Sequence, residues 1–357
     1  MTQEQILKAL STVEEPDLKN DLVTLGMIKN LVIEKYYVSF NIELTTPACP
    51  LKEKMKNDCV NAIKTMVNKD AVVKVGFTSN TTSTRPNAAD TLKGVKNIIT
   101  VVSGKGGVGK STVAANLALA LSQTGAKVGL MDADIYGPSV PIMFGVRGER
   151  PMMKDIDGKP MIEPLERFGL KLLSIGLLVD ESKAVVWRGP MASSAIRQFI
   201  TDVNWGDLDY LVVDMPPGTG DIHLTLLQTV KVTGVVIVTT PQDVALADAK
   251  KGIAMFGQAQ LNAKILGLVE NMSYFTPAEL PDSKYYIFGK QGGRRLAEEY
   301  EIPFLGEIPL VQGIREGGDI GVPIMMSDDE ITKEAFKKFA GEVARGVSVA
   351  NAEQVLA

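Results

Sequence analysis

One segment constrains the fold of this chain more than any other. Residues 104–111 read GKGGVGKS and fit the pattern G-x-x-x-x-G-K-S/T between the strand-like run IITVVS and an apolar helical pattern, which is the context that the motif requires. Its glycines let backbone N–H groups converge on phosphate oxygens, and the following helix presents its positive end there. The predicted nucleotide-binding residues are Gly104, Lys105, Gly106, Gly107, Val108, Gly109, Lys110, Ser111 and Thr112.

Three residues have specific predicted roles at this loop. Lys110 is expected to contact the β- and γ-phosphates, and the Ser111 hydroxyl is expected to ligate Mg²⁺. The strand-like run LDYLVVDM ends in Asp214, at the position where a Walker B carboxylate holds the water shell of the metal. The residues therefore predict a nucleoside triphosphate and Mg²⁺ as ligands, and hydrolysis as the reaction.

Strand and helix patterns alternate along the second part of the chain. The runs NIITVVS, KVGLMDAD, LDYLVVDM, GVVIVTT and KILGLVEN are near-continuously apolar, as strands covered on both faces are. Helical patterns over 111–123, 191–202, 243–261 and 290–300 separate them. This alternation predicts an α/β fold, namely a mostly parallel sheet with helices on both faces, preceded by a small α/β domain.

The domain boundaries follow from changes in the pattern of apolar and polar residues along the chain. Residues 1–78 contain strand patterns over 27–44, a helical pattern over roughly 51–67 and the strand-like run AVVKVGF. The polar stretch 79–94 has no apolar periodicity and is predicted to be a linker, with a long surface loop as the alternative. Residues 95–357 are then the nucleotide-binding domain.

Charge and cysteine content bear on partners and compartment. A net charge of −4 gives no global basic field, and no run of about 18 apolar residues occurs, so we expect neither nucleic acid nor membrane as a partner. Cys49 and Cys59 are the only cysteines, which is too few for a disulfide framework. With no signal or transit pattern at the start of the sequence, we expect a cytoplasmic protein.

The nonamer GKGGVGKST resembles the deviant Walker A loop of the group that includes MinD, ParA and nitrogenase iron protein. The resemblance implies that Lys105 reaches the phosphates of a second subunit across a nucleotide-sandwich homodimer, as an arginine finger does in trans. It also implies that Asp134, in LMDADIYGPS, orients the attacking water or touches the metal shell, whereas Asp132 is structural. Asn271, in VENMSYF, resembles the adenine-contacting asparagine; a turn or capping role is its alternative.

Longer motifs indicate one family within this group. DADIYGPSVP, the WRGPM segment around Arg188, DMPPGTGD and NMSYF together resemble the Mrp-type iron–sulfur cluster carrier ATPases. Residues 1–78 resemble the small SufT-like iron–sulfur assembly domain, with TTPACP as its signature turn and Cys49 at the functional position. The resemblance implies an ATPase that passes a 4Fe–4S cluster to apo client proteins and works with assembly factors. A MinD- or ParA-like nucleotide-gated regulator is the alternative.

The cargo chemistry departs from the family pattern. Carriers of this family have a C-x-x-C pair shortly after NMSYF, whereas this chain reads Thr276-Pro277-Ala278-Glu279 there. Hydroxyl and carboxylate oxygens are hard ligands that suit an iron–sulfur cluster poorly. Cys49 is therefore the best candidate cluster ligand, and an ATPase that has lost cluster binding is a further alternative.

The two cysteines and the single histidine complete the candidates. The position of Cys49 before a helix is expected to lower the pKa of its thiol, although a buried small hydrophobe is the alternative. Cys59 is expected to be a packing residue, and the single histidine, His223, is expected to be an ordinary helix-start or packing residue.

Overall fold

The computed structural model describes residues 1–83, 92, 94–179, 189–258, 263–277, 279–280 and 282–356. Arg188, around which the WRGPM segment was identified, and Ala278 lie outside these ranges. Most of the predicted linker also lies outside them, so the boundaries 1–78, 79–94 and 95–357 stay predictions.

A small N-terminal unit precedes the large sheet. Its elements are α1 Gln3–Leu10, β1 Glu14–Glu15, β2 Asn20–Asp21, β3 Ile28–Glu34, β4 Tyr37–Leu44, α2 Lys52–Met66 and β5 Val72–Ser79. β4 pairs antiparallel with β3 and parallel with β5 in a three-stranded sheet. Alternate β4 residues (Val38, Phe40, Ile42 and Leu44) are buried against Cys59 and the rest of this core, as the period-two pattern predicted.

The strands of the larger unit are β6 Val95–Ser103, β7 Val128–Asp132, β8 Met152–Ile156, β9 Lys159–Glu163, β10 Leu165–Arg167, β11 Leu170–Ser174, β12 Leu208–Asp214, β13 Gly234–Thr239, β14 Ile265–Glu270 and β15 Phe304–Glu307. Eight of them form one sheet in the order β10-β11-β7-β12-β6-β13-β14-β15, while β8 and β9 form a separate hairpin. Only the β10–β11 pair of the eight-stranded sheet is antiparallel. The predicted mostly parallel α/β sheet is confirmed.

Helices cover both faces of this sheet. They are α3 Lys110–Ser122, α4 Val140–Met143, α5 Ile175–Leu178, α6 Gly189–Thr201, α7 Asp221–Thr229, α8 Asp243–Phe256, α9 Gly292–Glu299, α10 Gln312–Ile320 and α11 Glu330–Leu356, with a short 3-10 turn over Ile324–Met326. One apolar core contains α3 and α11, and a second, on the other face, contains α6, α8 and α9. α3 is buried around most of its circumference because it lies between the sheet and α11.

One residue of the predicted apolar stripe on the C-terminal helix is not packed. Ile331, Phe336, Phe339 and Val343 share a helical spacing that predicts a packed or partner-facing stripe. Phe336, Phe339 and Val343 are buried, but Ile331 is 82% exposed. It lies in the first turn of α11, ahead of Phe336, where the helix joins the core.

Candidate functional site

The phosphate loop connects β6, an interior strand, to α3. Gly107 and Gly109 have φ angles of +84° and +80°, a left-handed conformation that favours glycine. A Cβ atom at Gly104 would lie 2.2 Å from the backbone carbon of Asp248 in α8, so only glycine fits there. The loop therefore packs tightly on α8 at one end and opens into α3 at the other.

Lys110 is enclosed by carboxylates from two strands. Its Nζ lies 2.5 Å from Asp214 Oδ1, 3.6 Å from Asp134 Oδ2 and 3.3 Å from Ser111 Oγ. The side chains of Lys110 and Asp214 are 6% and 0% exposed. The structure thus brings together four residues that the sequence placed at one site, although their roles in catalysis stay predictions.

The oxygen atoms at this cluster fit Mg²⁺. Asp214 Oδ2 is buried and has no hydrogen-bond partner, while the other oxygen of the same carboxylate contacts Lys110. A buried carboxylate oxygen without a partner is costly unless a cation or water satisfies it. Carboxylate and hydroxyl oxygens, here Asp214 and Ser111, are the hard ligands that this metal prefers.

Asp132 ties three elements together behind the cluster. Its Oδ1 accepts from the Asp134 N–H (3.1 Å), and its Oδ2 accepts from Ser174 Oγ (2.9 Å) and the Val140 N–H (3.3 Å). Burial, and then the charge of Asp214, raise the pKa of Asp132 to about 7. These contacts join the ends of β7 and β11 to the start of α4. No sequence motif marks Ser174, so its part in this network was not predicted.

A cavity of about 390 Å³ opens beside the loop. Asn271 forms part of its wall, and its Nδ2 donates to the Val108 carbonyl at 2.8 Å. Pro309 to Val311, and Ile314 and Arg315 of α10, also line the cavity; no sequence motif marks these residues, so they were not predicted. The cavity is adjacent to Gly109 and Thr112, and an apolar cleft with a few polar groups suits a nucleoside.

Lys105 stands apart from this cluster. Its carbonyl accepts from Ser103 Oγ at 2.9 Å, and the residue is half-buried. Within the described ranges, no acidic side chain forms an ion pair with its ammonium group. Lys105 is therefore in the loop without taking part in the Lys110 network.

His223 lies in the first turn of α7 and is buried, so it is both a helix-start and a packing residue, as expected. Its Nδ1 accepts from the Gly220 N–H at 3.3 Å, and its ring meets Phe256 at 6.1 Å between centroids. Burial lowers the pKa of His223 to about 4, so the imidazole is neutral near pH 7. Its Nε2 is buried and has no hydrogen-bond partner.

Cys49 lies away from the phosphate loop, in the turn between β4 and α2, where it is half-buried. Burial raises the pKa of its thiol, and the nearby charges of Glu15 and Asp17 add to that effect. The expected lowering is therefore wrong, because the contribution of the Leu51 N–H is smaller than that of burial. Cys59 is fully buried in the N-terminal core.

The segment that stands in place of the C-x-x-C pair contains aromatic and oxygen-bearing side chains and no thiol. Phe275 and Tyr285 form an isolated antiparallel bridge across it, and Lys284 lies 3.9 Å from the centroid of the Tyr274 ring. Thr276 is half-buried and Glu279 is exposed. In the part of the chain that the structure describes, no group of three or more His, Cys, Asp or Glu side chains could hold a metal ion.

A glycine-rich loop on an interior parallel strand, with a carboxylate of the adjacent strand on its lysine, defines a P-loop NTPase of the MinD and ParA fold class. MinD of Pyrococcus furiosus has the same fold, with a TM-score of 0.51 at 24% identity, covering 69% of this chain and 98% of that one. A nucleotide-binding protein of Archaeoglobus fulgidus, solved in complex with ADP, gives a TM-score of 0.55 at 40% identity and covers 64% of this chain and 87% of that one.

The particular family follows from two sequence matches. Residues 94–344 match the family described as NUBPL iron-transfer P-loop NTPase, and residues 3–76 match the family described as iron-sulfur cluster assembly protein. The iron-sulfur cluster carrier protein of Synechocystis is 49% identical over 352 residues, 98% of this chain and 99% of its own length. The iron-sulfur cluster carrier protein of Escherichia coli is 44% identical over 338 residues, which is 94% of this chain and 89% of its own length. The chain belongs to this family of P-loop NTPases, and the resemblance noted in its motifs is confirmed.

Proposed function

We propose that this chain is an ATP-hydrolysing carrier of iron–sulfur clusters, which acts as a cytoplasmic homodimer and passes its cargo to apo client proteins. The observation that carries the proposal is the Lys110–Asp214–Asp134 cluster at the phosphate loop, in a chain that also has the assembly-protein unit. Relatives that match nearly the whole chain are named iron-sulfur cluster carrier proteins, which supports the cargo.

The nucleotide half of the proposal assigns each group a task. Lys110 binds the β- and γ-phosphates, the loop N–H groups cradle them, and Asn271 lies at the base cavity. Ser111 and Asp214 hold Mg²⁺, which when bound supplies positive charge to the phosphate oxygens. Asp134 orients the attacking water, since its carboxylate lies 3.6 Å from Lys110 at the same edge of the sheet.

Steady-state ATP hydrolysis tests this half. Lys110→Ala is expected to abolish turnover because it removes the positive charge that contacts the β- and γ-phosphates. Asp214→Asn is expected to impair the Mg²⁺-dependent step more than nucleotide binding. Lys127→Ala, which removes an exposed lysine just before β7, is the matched control. Wild-type turnover in either site variant would refute the assignment.

Lys105 is proposed to act in trans. Its ammonium group forms no ion pair within the described residues of its own chain, and a cation supplied by a second subunit would tie hydrolysis to dimerisation. Lys105→Ala is expected to keep nucleotide affinity and to lose hydrolysis. Mixing it with Asp134→Ala subunits should restore part of the activity, because one composite site then has both groups. If mixed dimers form and never recover turnover, the trans role is wrong.

The cluster is cargo, and Cys49 is its proposed protein ligand. One thiolate from each of two subunits, or thiolates from a client, would make a labile site suited to transfer. Anaerobic reconstitution with iron and sulfide should give substoichiometric, chelator-sensitive iron that is lost in Cys49→Ser and unchanged in Thr276→Ala and Glu279→Ala. Stable iron in Cys49→Ser would place the ligands elsewhere. If neither the wild type nor any variant binds iron while ATP hydrolysis is intact, the chain has lost the ability to bind a cluster.

A different output, nucleotide-gated binding to membrane or DNA, is testable in the same preparations. None of the helices in the described ranges is long and apolar enough to cross a bilayer. With ATP present, we expect no co-sedimentation with anionic liposomes and no retention of DNA. Strong binding to either would favour the regulator alternative.

A further inference from the structure

A serine hydroxyl in the wall of the cavity beside the phosphate loop makes no hydrogen bond. Ser139 lies just before α4, and its Oγ atom is buried without a partner among the residues that the structure describes. A buried hydroxyl without a partner costs free energy, so protein, water or a ligand normally satisfies such a group. Because Ser139 lines the cavity together with Gly109 and Thr112, its hydroxyl is placed to find that partner in a bound molecule.

The short helix that follows does not use this hydroxyl. A serine just before a helix commonly accepts from backbone N–H groups of the first turn, but the Ser139 side chain makes no such bond. The Val140 N–H donates to Asp132 Oδ2 at 3.3 Å, and Pro141 has no N–H. The N–H groups of the two residues after Pro141 donate to the Ser139 carbonyl oxygen at 3.2 and 3.1 Å. Helix capping therefore does not explain the serine.

The position of Ser139 indicates which part of a nucleotide would meet its hydroxyl. The next residue, Val140, is tied to Asp132, which in turn accepts from the backbone of Asp134 in the Lys110 cluster. Asn271, the proposed base contact, lines the same cavity as Ser139. The ribose of a nucleotide stands between its phosphates and its base. A hydroxyl that lines the base cavity and lies next to the phosphate cluster therefore faces the sugar.

Other polar groups in the wall of the cavity already have partners. Arg315 Nη1 donates to Asp319 Oδ2 at 2.9 Å, and its Nη2 donates to Glu316 Oε1 at 3.0 Å. Asn271 Nδ2 is bonded to the backbone of the phosphate loop at 2.8 Å. The Ser139 hydroxyl can both donate and accept, as a sugar hydroxyl can, so the two groups match in chemistry.

We propose that Ser139 binds a hydroxyl group of the ribose, so that the chain prefers ribonucleotides to deoxyribonucleotides. The contact deepens the nucleotide half of the function proposed above and rests on that half for the presence of a nucleotide. One hydrogen bond between neutral groups corresponds to about a fivefold difference in affinity.

Calorimetric binding of ADP, 2′-deoxyADP and 3′-deoxyADP to the full chain with Mg²⁺ tests the contact. The wild type should bind ADP about fivefold more tightly than one of the two analogues. Ser139→Ala should weaken ADP binding by the same factor and leave the binding of that analogue unchanged, because the analogue already lacks the hydroxyl. Ser79→Ala, which changes an exposed serine at the end of β5, is the control and should bind all three ligands as the wild type does.

Three binding results would overturn the contact. Equal weakening of ADP and both analogues in Ser139→Ala would show that the hydroxyl meets a phosphate or the base. Discrimination that persists in Ser139→Ala would assign the sugar to another group. Equal affinities of the wild type for all three ligands would show that no ribose hydroxyl is bound, and this result does not depend on whether the variant folds.

Urea unfolding of the nucleotide-free protein gives a second readout. The unfolding midpoint of Ser139→Ala should not be lower than that of the wild type, because the hydroxyl makes no hydrogen bond with the residues described. A lower midpoint would reveal a partner within the chain and would also overturn the contact.

The two proposals fail separately. Sugar discrimination through Ser139 in a chain that neither hydrolyses ATP nor takes up iron would keep the ribose contact and remove the carrier function. ATP hydrolysis and Cys49-dependent iron uptake without sugar discrimination would do the reverse.

Discussion

Replacing Lys110 with methionine removes the one ammonium group that the structure shows among the three carboxylates of Asp132, Asp134 and Asp214. The side chain keeps its length, so the change is mainly electrostatic. Removing one partner of a buried ion pair costs about 3–5 kcal/mol, because the remaining charge is left in a poorly solvated site. With 6% and 0% exposure for Lys110 and Asp214, this pair belongs to that class.

The cost should depend on pH in a defined direction. Burial already raises the pKa of Asp132 to about 7 and raises that of Asp134, while the charge of Lys110 lowers both. A carboxyl group with a raised folded pKa gives stability at low pH that is lost as pH rises through that pKa. Without Lys110 both pKa values rise further. The variant is therefore expected to lose about 3 kcal/mol at pH 8 and about 1–2 kcal/mol less than that at pH 6.

Urea unfolding of the nucleotide-free protein at pH 6 and pH 8 measures both quantities. Lys105→Met is the matched control, since it changes a lysine of the same loop that forms no ion pair among the residues described. Its unfolding midpoint should equal that of the wild type at both pH values. A Lys110→Met midpoint equal to wild type at pH 8, or a larger deficit at pH 6 than at pH 8, would refute the electrostatic reasoning.

Three further variants probe other contacts of the site. Gly104→Ala places a Cβ atom 2.2 Å from the Asp248 backbone, so the loop must shift, and nucleotide affinity measured by calorimetry should fall at least about tenfold. Asn271→Ala removes the buried 2.8 Å hydrogen bond to the Val108 carbonyl, and affinity should fall about fivefold. Burial lowers the pKa of His223 to about 4, so His223 alone should subtract about 3 kcal/mol from the free energy of unfolding as pH falls from 6.5 towards 4, against the opposite contribution of Asp132; in urea titrations, the difference between wild type and His223→Phe should change by that amount over this range.

Sequence patterns predicted the parts of the fold that depend on local rules. The interior strands are apolar on both faces, so β6, β7, β12, β13 and β14 were predicted near their observed positions. The phosphate loop requires glycine conformations and a strand–helix context, and the structure has both. Lys110, Asp134 and Asp214 could be grouped because the carboxyl ends of parallel strands share one edge.

Features that depend on distant contacts were not predictable in this way. Whether a thiol before a helix is acidic depends on what covers it, and for Cys49 burial and acidic neighbours outweigh the N–H of Leu51. Short edge elements such as β10 and β15 have too few residues for a periodic pattern. Ser174 supports Asp132 from the neighbouring strand β11, far away along the chain, which no spacing in the sequence reveals.

The N-terminal unit contacts the larger unit at Tyr210, whose hydroxyl donates to Thr46 Oγ1 at 2.7 Å, and along α11 at Gly341 and at Ser348, whose hydroxyl accepts from Thr45 Oγ1 at 3.1 Å. This contact has a consequence for how these positions vary among relatives. In a chain with this unit, the Tyr210 hydroxyl is buried and must find a partner, and Gly341 must leave room for the turn between β4 and α2. In a relative that lacks the unit, water would reach both positions and neither demand would apply. Among relatives that have both units, positions 210, 341 and 348 should therefore accept few residue types, and among relatives that lack the N-terminal unit they should accept many. Positions 110 and 214 should show no such difference between the two groups.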